Sequence, residues 1–160
     1  MTKKLLSACL LSSALLIACN NANEADVEAC EHLQEGPATA VTATASTTGA
    51  PAVSNDHKRY DITLPAGTGG NNVGSVSFAS TEATDYVLFV GADVPVKVTG
   101  SSGDVAFEET AKTSEQCTEV KGRHVVPLGV GTYTLTFGPT TQTSVALVIE
   151  ETAHDEEHKD

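Results

Sequence analysis

The chain has no tryptophan, one methionine, three tyrosines and four phenylalanines among its 160 residues. Any core must therefore be built mainly from Val, Leu and Ile. Cations are also scarce: nine Lys and Arg stand against 21 Asp and Glu, for a formal charge of −12. So acidic a chain is repelled by nucleic acid and by anionic lipid, which excludes both as charge-driven partners. Cationic partners, divalent metals included, stay compatible. No G-x-S-x-G elbow, P-loop or dinucleotide fingerprint occurs, and the many Ser and Thr residues fall at alternating or low-complexity positions. The sequence reads as a non-enzyme. Its one long apolar run, residues 5–18, is shorter than the roughly 20 residues that a membrane-spanning helix needs.

That run follows Lys3 and Lys4 and ends on the small residue Ala18, the layout of a secretory signal peptide over residues 1–18. The sequence Leu16-Ile17-Ala18-Cys19 resembles the lipobox of bacterial lipoproteins. The resemblance implies that the signal peptide is cut before Cys19, that the Cys19 thiol carries diacylglycerol, and that the new amine is acylated. Two or three acyl chains suffice for permanent attachment to a membrane. The expected location is the cell envelope of a Gram-negative bacterium. Asn20 and Asn21 follow Cys19, where Asp marks inner-membrane retention in enterobacterial lipoproteins, so the outer membrane is favoured. Loss of residues 1–18 removes Lys3 and Lys4 and no acid, so the charge moves from −12 to −14.

Of the four cysteines, Cys9 leaves with the signal peptide and Cys19 is lipidated. Cys30 and Cys117 remain in an oxidising compartment, where a disulfide is the default. So long a loop is worth about 4–5 kcal/mol on the chain-entropy model. A pair of soft metal ligands is the weaker reading, because neither cysteine has a neighbour at C-x-x-C spacing.

Residues 19–37 form a tether and a short helix, with Asn23 as its N-cap and Gly36-Pro37 as its stop signal. Val27, Cys30 and Leu33 fall three apart and would share one face, presenting Cys30 to the body. Residues 38–56, rich in Ala, Thr and Ser, read as a linker or as a weak edge strand around residues 39–45. From residue 57 the period becomes two. Tyr60, Ile62 and Leu64, then Val76 and Phe78, then Val94, Val96 and Val98 alternate with polar residues. Tyr133, Leu135 and Phe137, and later Val145, Leu147 and Ile149, do the same. Residues 86–90 are apolar on both parities and mark a central strand. Weaker strands fit residues 105–108 and 118–128. The expected fold is all-β: one antiparallel β-sandwich of seven to eight strands over residues 57–150, with a short N-terminal helix.

The opening Tyr60-Asp-Ile-Thr-Leu-Pro-Ala-Gly67 and the closing Gly131-Thr-Tyr-Thr-Leu-Thr-Phe137 and Val145-Ala-Leu-Val-Ile149 are similar to those of bacterial pre-peptidase C-terminal domains. These are secreted β-sandwiches that act as accessory or binding modules. The likeness implies architecture and no functional residue, and no catalytic domain precedes the sandwich here.

The acidic tail, residues 151–160, carries His154, Glu157 and His158. Histidines four apart share a helix face, and imidazole with carboxylate suits zinc, copper or nickel. His154-Asp-Glu-Glu157-His158 also fits the H-x-x-E-H pattern of inverted zinc peptidases. That motif belongs on a buried helix with a further carboxylate ligand downstream, and a polar acidic run is no such setting. A solvated charged tail remains the alternative to metal binding. His32, with Glu28 one turn before it, would join His154 and His158 if the last strand ended near the helix. His57 and His124 fall at strand positions, His124 on the parity of Val126 and Leu128. Asp85, Asp93 and Asp104 sit at strand ends without a calcium-loop motif. The functions this supports are a lipid-anchored accessory or binding module, a lipoprotein handling zinc, copper or nickel, and a structural protein packing against an envelope partner.

Overall fold

The structure, a computed structural model, describes residues 21–152. One helix, α1 (Asn21–Glu35), precedes eleven strands. They are β1 (Ala38–Thr42), β2 (Ala52–Val53), β3 (Arg59–Thr63), β4 (Asn72–Ser80), β5 (Thr84–Val90) and β6 (Val96–Gly100), then β7 (Gly103–Val105), β8 (Glu109–Ala111), β9 (Gly122–Leu128), β10 (Gly131–Thr140) and β11 (Ser144–Glu151). Six strands form one sheet in the order β1-β3-β11-β5-β9-β8, and five form the other in the order β2-β4-β10-β6-β7. The architecture is the expected all-β sandwich with one short helix. From residue 57 on there are nine strands rather than seven or eight, because β7 and β8 are only three residues long, too short to show alternation. Two pairings, β1 with β3 and β2 with β4, are parallel, so the sheets are mixed. Residues 38–56 thus contribute β1, an edge strand, and the two-residue β2.

Alternation explains the interior. Tyr60 and Ile62, Val76 and Phe78, Val98, Leu135 and Phe137, and Val145, Leu147 and Ile149 are buried between the sheets. Leu135 lies opposite Val76 on one side and Val98 on the other, pairs of the kind that stabilise a sheet. Phe78 and Tyr86 meet edge-on across the sandwich with ring centroids 5.1 Å apart.

The opposite parity of the six-stranded sheet builds a second core. Val87 and Phe89 of β5, Val125 of β9 and Val148 of β11 face Ala25, Ala29 and Leu33 of α1. This is why β5 is apolar on both parities from Tyr86 to Val90: both of its faces are covered there. Helix α1 begins at Asn21, so Asn23 lies inside it rather than at its cap. Its buried stripe runs through residues 25, 29 and 33, and Val27 stays 52 % exposed. Four-residue spacing of two alanines and a leucine, not the three-residue spacing of Val27, Cys30 and Leu33, lets the helix lie close to the sheet. The helix ends at Gly36, whose φ of +78° suits glycine at a helix C-terminus.

One covalent link and several polar contacts fasten the helix. The Cys30–Cys117 disulfide spans 87 residues. Arg123 Nε donates to Asp26 Oδ2 over 2.9 Å, with both side chains about nine-tenths buried. Arg59 Nη1 donates to Leu33 O over 2.7 Å. Removing one member of a buried ion pair strands the other charge. Asp26→Ala is therefore expected to lower stability by about 3–5 kcal/mol in equilibrium denaturation. A loss under about 1 kcal/mol, as for a surface pair, would contradict this account of helix docking.

Candidate metal centre

Three segments converge on one point beside α1. The helix supplies Glu28 and His32, four apart and so on one face. The β2–β3 loop supplies His57, and β11 supplies Glu150. Along β11 the odd positions 145, 147 and 149 enter the main core, while Ala146 and Val148 face the helix. Glu150 continues this second parity and is 1 % exposed. A carboxyl thus occupies a place where the register calls for an apolar side chain. Burial first, and then the charges of Glu28 and Glu151, push its pKa up to about 8.

His32 Nδ1 faces Gly36 O at 3.5 Å. A carbonyl can only accept, so this contact fits the tautomer with its proton on Nδ1 and its lone pair on Nε2. Nε2 lies 4.0 Å from Glu150 Oε1. Both atoms are buried and neither has a hydrogen-bond partner, an arrangement that native interiors rarely leave unexplained.

His57 lies in a loop, not on a strand, with φ of +51°. That conformation costs a residue other than glycine about 1–3 kcal/mol and persists only when its surroundings impose it. The surroundings here are specific. Asn55 Nδ2 donates to Glu151 Oε1 over 2.6 Å. Tyr60 OH accepts from Ser54 N and donates to Asp56 Oδ1, each over 3.0 Å. The loop so shaped places His57 Nδ1 2.9 Å from Glu28 Oε1 and 3.5 Å from Glu150 Oε2. The His32 and His57 rings stand 5.9 Å apart, centroid to centroid.

The ligand atoms of Glu28, His32 and His57 lie within 4.8 Å of one another. Zinc binds imidazole nitrogen and carboxylate oxygen at about 2.0–2.2 Å, so an ion can bridge donors 4.0 Å apart. It would give Nε2 of His32 and Oε1 of Glu150 the partners they lack and offset the repulsion between two carboxylates. Two imidazoles with two carboxylates suit zinc, copper, nickel or iron, whereas calcium asks for six or more oxygens. The inner pair is the more enclosed, with side-chain exposures of 15 % for His32 and 2 % for Glu150. His57 at 49 % and Glu28 at 34 % reach solvent and open an entry path.

Of the residues expected to bind metal, His32 enters this cluster. His154, Glu157 and His158 lie outside the described residues, as does Cys19. Strand β11 does end beside the helix, but the group it delivers to His32 is Glu150. His124 is an interior residue: it is 8 % exposed, its Nδ1 lies 3.2 Å from Thr110 Oγ1, and it stacks on Phe107. Asp93 pairs with Lys112 and Asp104 with Lys97, which gives those two aspartates a cation already, while Asp85 lies at the start of the inner strand β5 and accepts from Thr152 through its backbone carbonyl. A cavity of about 490 Å³ is lined by Arg59, Asp61, Glu119 and Lys121, and one of about 290 Å³ by His124. Neither touches the cluster. Among known proteins, no family model matches the chain and no curated protein matches it in sequence.

The raised Glu150 pKa has a measurable consequence without metal. Between the ordinary value of 4.5 and about 8, the native state holds a proton that the unfolded chain has released. Stability therefore falls as pH rises through that window. His124, held below its ordinary 6.5 by burial, acts oppositely, losing stability as pH falls below 6.5. With chelator present, thermal midpoints from about pH 5 to 8 should decline more steeply for the native chain than for Glu150→Gln. Parallel curves would contradict the assignment.

Proposed function

We propose that this protein is a lipid-anchored, non-catalytic component of the bacterial cell envelope that binds a divalent transition metal. The observation that carries the reading is the convergence of Glu28, His32, His57 and Glu150, with two buried donor atoms unpartnered. The donor set favours zinc, copper or nickel. An overall charge of −12 attracts cations toward it. Anchoring through Cys19 follows from the lipobox resemblance, and α1 begins two positions after that cysteine. Tail residues His154, Glu157 and His158 would act as an outer collector for the same class of ion. A purely structural envelope role finds less support. The large exposed apolar residues among those described are Val27 on α1 and Val130 in the β9–β10 turn, and two single residues do not make a docking patch.

Calorimetric titration of the full chain in detergent with zinc separates the two sets of ligands. The His32→Ala/His57→Ala protein is expected to lose about 100-fold or more in affinity, while His154→Ala/His158→Ala retains the tight site. The reverse pattern would move binding to the tail and sink the proposal for the cluster. Anchoring is tested separately by labelling cells with radioactive palmitate. Label should enter the protein and disappear with Cys19→Ser, which should move the chain to the soluble fraction. Unchanged label in that variant would refute lipidation at Cys19.

A further inference from the structure

The disulfide has an unusual neighbour. Glu119 Oε2 lies 3.4 Å from Cys117 Sγ and 4.0 Å from Cys30 Sγ. A disulfide has no proton to give, so these contacts offer the carboxylate nothing while the bond is intact. Other groups hold it there: Gln34 Nε2 donates to Oε2 over 2.9 Å and Thr118 Oγ1 over 3.1 Å. Led by the hydrogen bond from Gln34, these interactions keep the Glu119 carboxyl below its ordinary pKa, hence ionised. Two sulfurs and one carboxylate oxygen thus lie within 4.8 Å of one another.

We propose that reduction of Cys30–Cys117 turns this staple into a second metal site, in which two thiolates and the Glu119 carboxylate hold a soft or borderline ion such as zinc or copper(I). The step balances with a dithiol reductant. Two electrons and two protons pass to the sulfurs, the S–S bond breaks, and the reductant leaves as its own disulfide. Zinc then displaces both thiol protons, because the thiolate is the ligand form. Thiolates at about 2.3 Å from a tetrahedral ion stand about 3.8 Å apart. With Cα atoms 5.3 Å apart, side-chain rotation suffices to open the pair. The cysteines stay opposed after reduction because α1 keeps its Asp26–Arg123 pair, its Arg59 contact and its apolar stripe. Gln34 Nε2, 3.4 Å from Cys30 Sγ and bonded to Glu119, serves as the outer donor that steadies the set. Thiolate ligands make this site softer than the His–Glu cluster, and it does not depend on that cluster.

The test uses the full chain in detergent with Cys9→Ser and Cys19→Ser, which leaves Cys30 and Cys117 as its cysteines. His32→Ala and His57→Ala silence the first cluster. Cobalt(II) is added before and after reduction by a water-soluble phosphine, which supplies no thiolate of its own. The oxidised protein should show no sulfur-to-cobalt charge-transfer absorption. The reduced protein should keep its β circular dichroism and gain that band with one further cobalt per chain. Cys117→Ser should abolish the band, and Glu119→Gln should weaken cobalt binding about tenfold. A reduced protein that unfolds, shows no band, or keeps it in Cys117→Ser overturns the proposal. Undiminished affinity in Glu119→Gln overturns the three-donor site.

Discussion

The docking of α1 on the outer face of the six-stranded sheet is the constraint from which the chemistry of this protein follows. A sandwich needs only one buried face per sheet, yet Val87, Phe89, Val125 and Val148 make the other face apolar as well. The helix removes that face from water, at about 25 cal/mol per Å² of apolar area covered. The Cys30–Cys117 link adds about 4–5 kcal/mol on the chain-entropy model, and the Asp26–Arg123 pair fixes register along the helix axis. With position and register set, Glu28 and His32 must hang over the end of β11. A buried carboxyl at 150 and an imidazole at 32 then face each other, shielded from bulk water. What would be a solvated pair on an open sheet face becomes a desolvated site under a helix.

The same contact explains why polar groups are tolerated there. A buried carboxyl costs several kcal/mol when ionised and unpaired, and the protein answers by holding Glu150 protonated. That answer is poised rather than final. A cation entering past His57 and Glu28 would make the ionised carboxylate favourable and partner the lone pair of His32. In this reading the strained φ of His57 and the bonds fixing its loop serve to hold the outer ligand over the inner pair. The disulfide lies on the same helix, two residues from each helix-borne ligand, so the covalent staple and the candidate centre share one support.

Much of the architecture is legible in the chain. Period-two alternation from Tyr60 to Ile149 yields the sandwich, and the doubly apolar run in β5 marks its centre. The Cys30–Cys117 disulfide is the pairing expected if Cys9 and Cys19 are accounted for by a lipoprotein signal. The short strands β2, β7 and β8 escape because two or three residues carry no period, and pairing across the sheet decides them, as it decides between linker and edge strand for β1. The site is harder. His32 with Glu28 one turn away is visible as helical spacing, but His57 reads as the start of a strand. The bond from Asn55 to Glu151 and those of Tyr60 to Ser54 and Asp56 shape it into a loop. Glu150 left one overlooked signal. On the parity of Ala146 and Val148, a glutamate interrupts a face that the helix covers, and a charged residue at a covered position asks for a partner.

An ion seated between His32 and Glu150 would be visible to diffraction. Crystals of the zinc-loaded protein, measured at wavelengths on both sides of the zinc absorption edge, should give an anomalous peak about 2.0–2.2 Å from His32 Nε2 and a Glu150 oxygen. His57 Nδ1 and Glu28 should complete its shell. Clean zinc-edge data with that position empty, or with the ion held only by tail residues, would contradict the account.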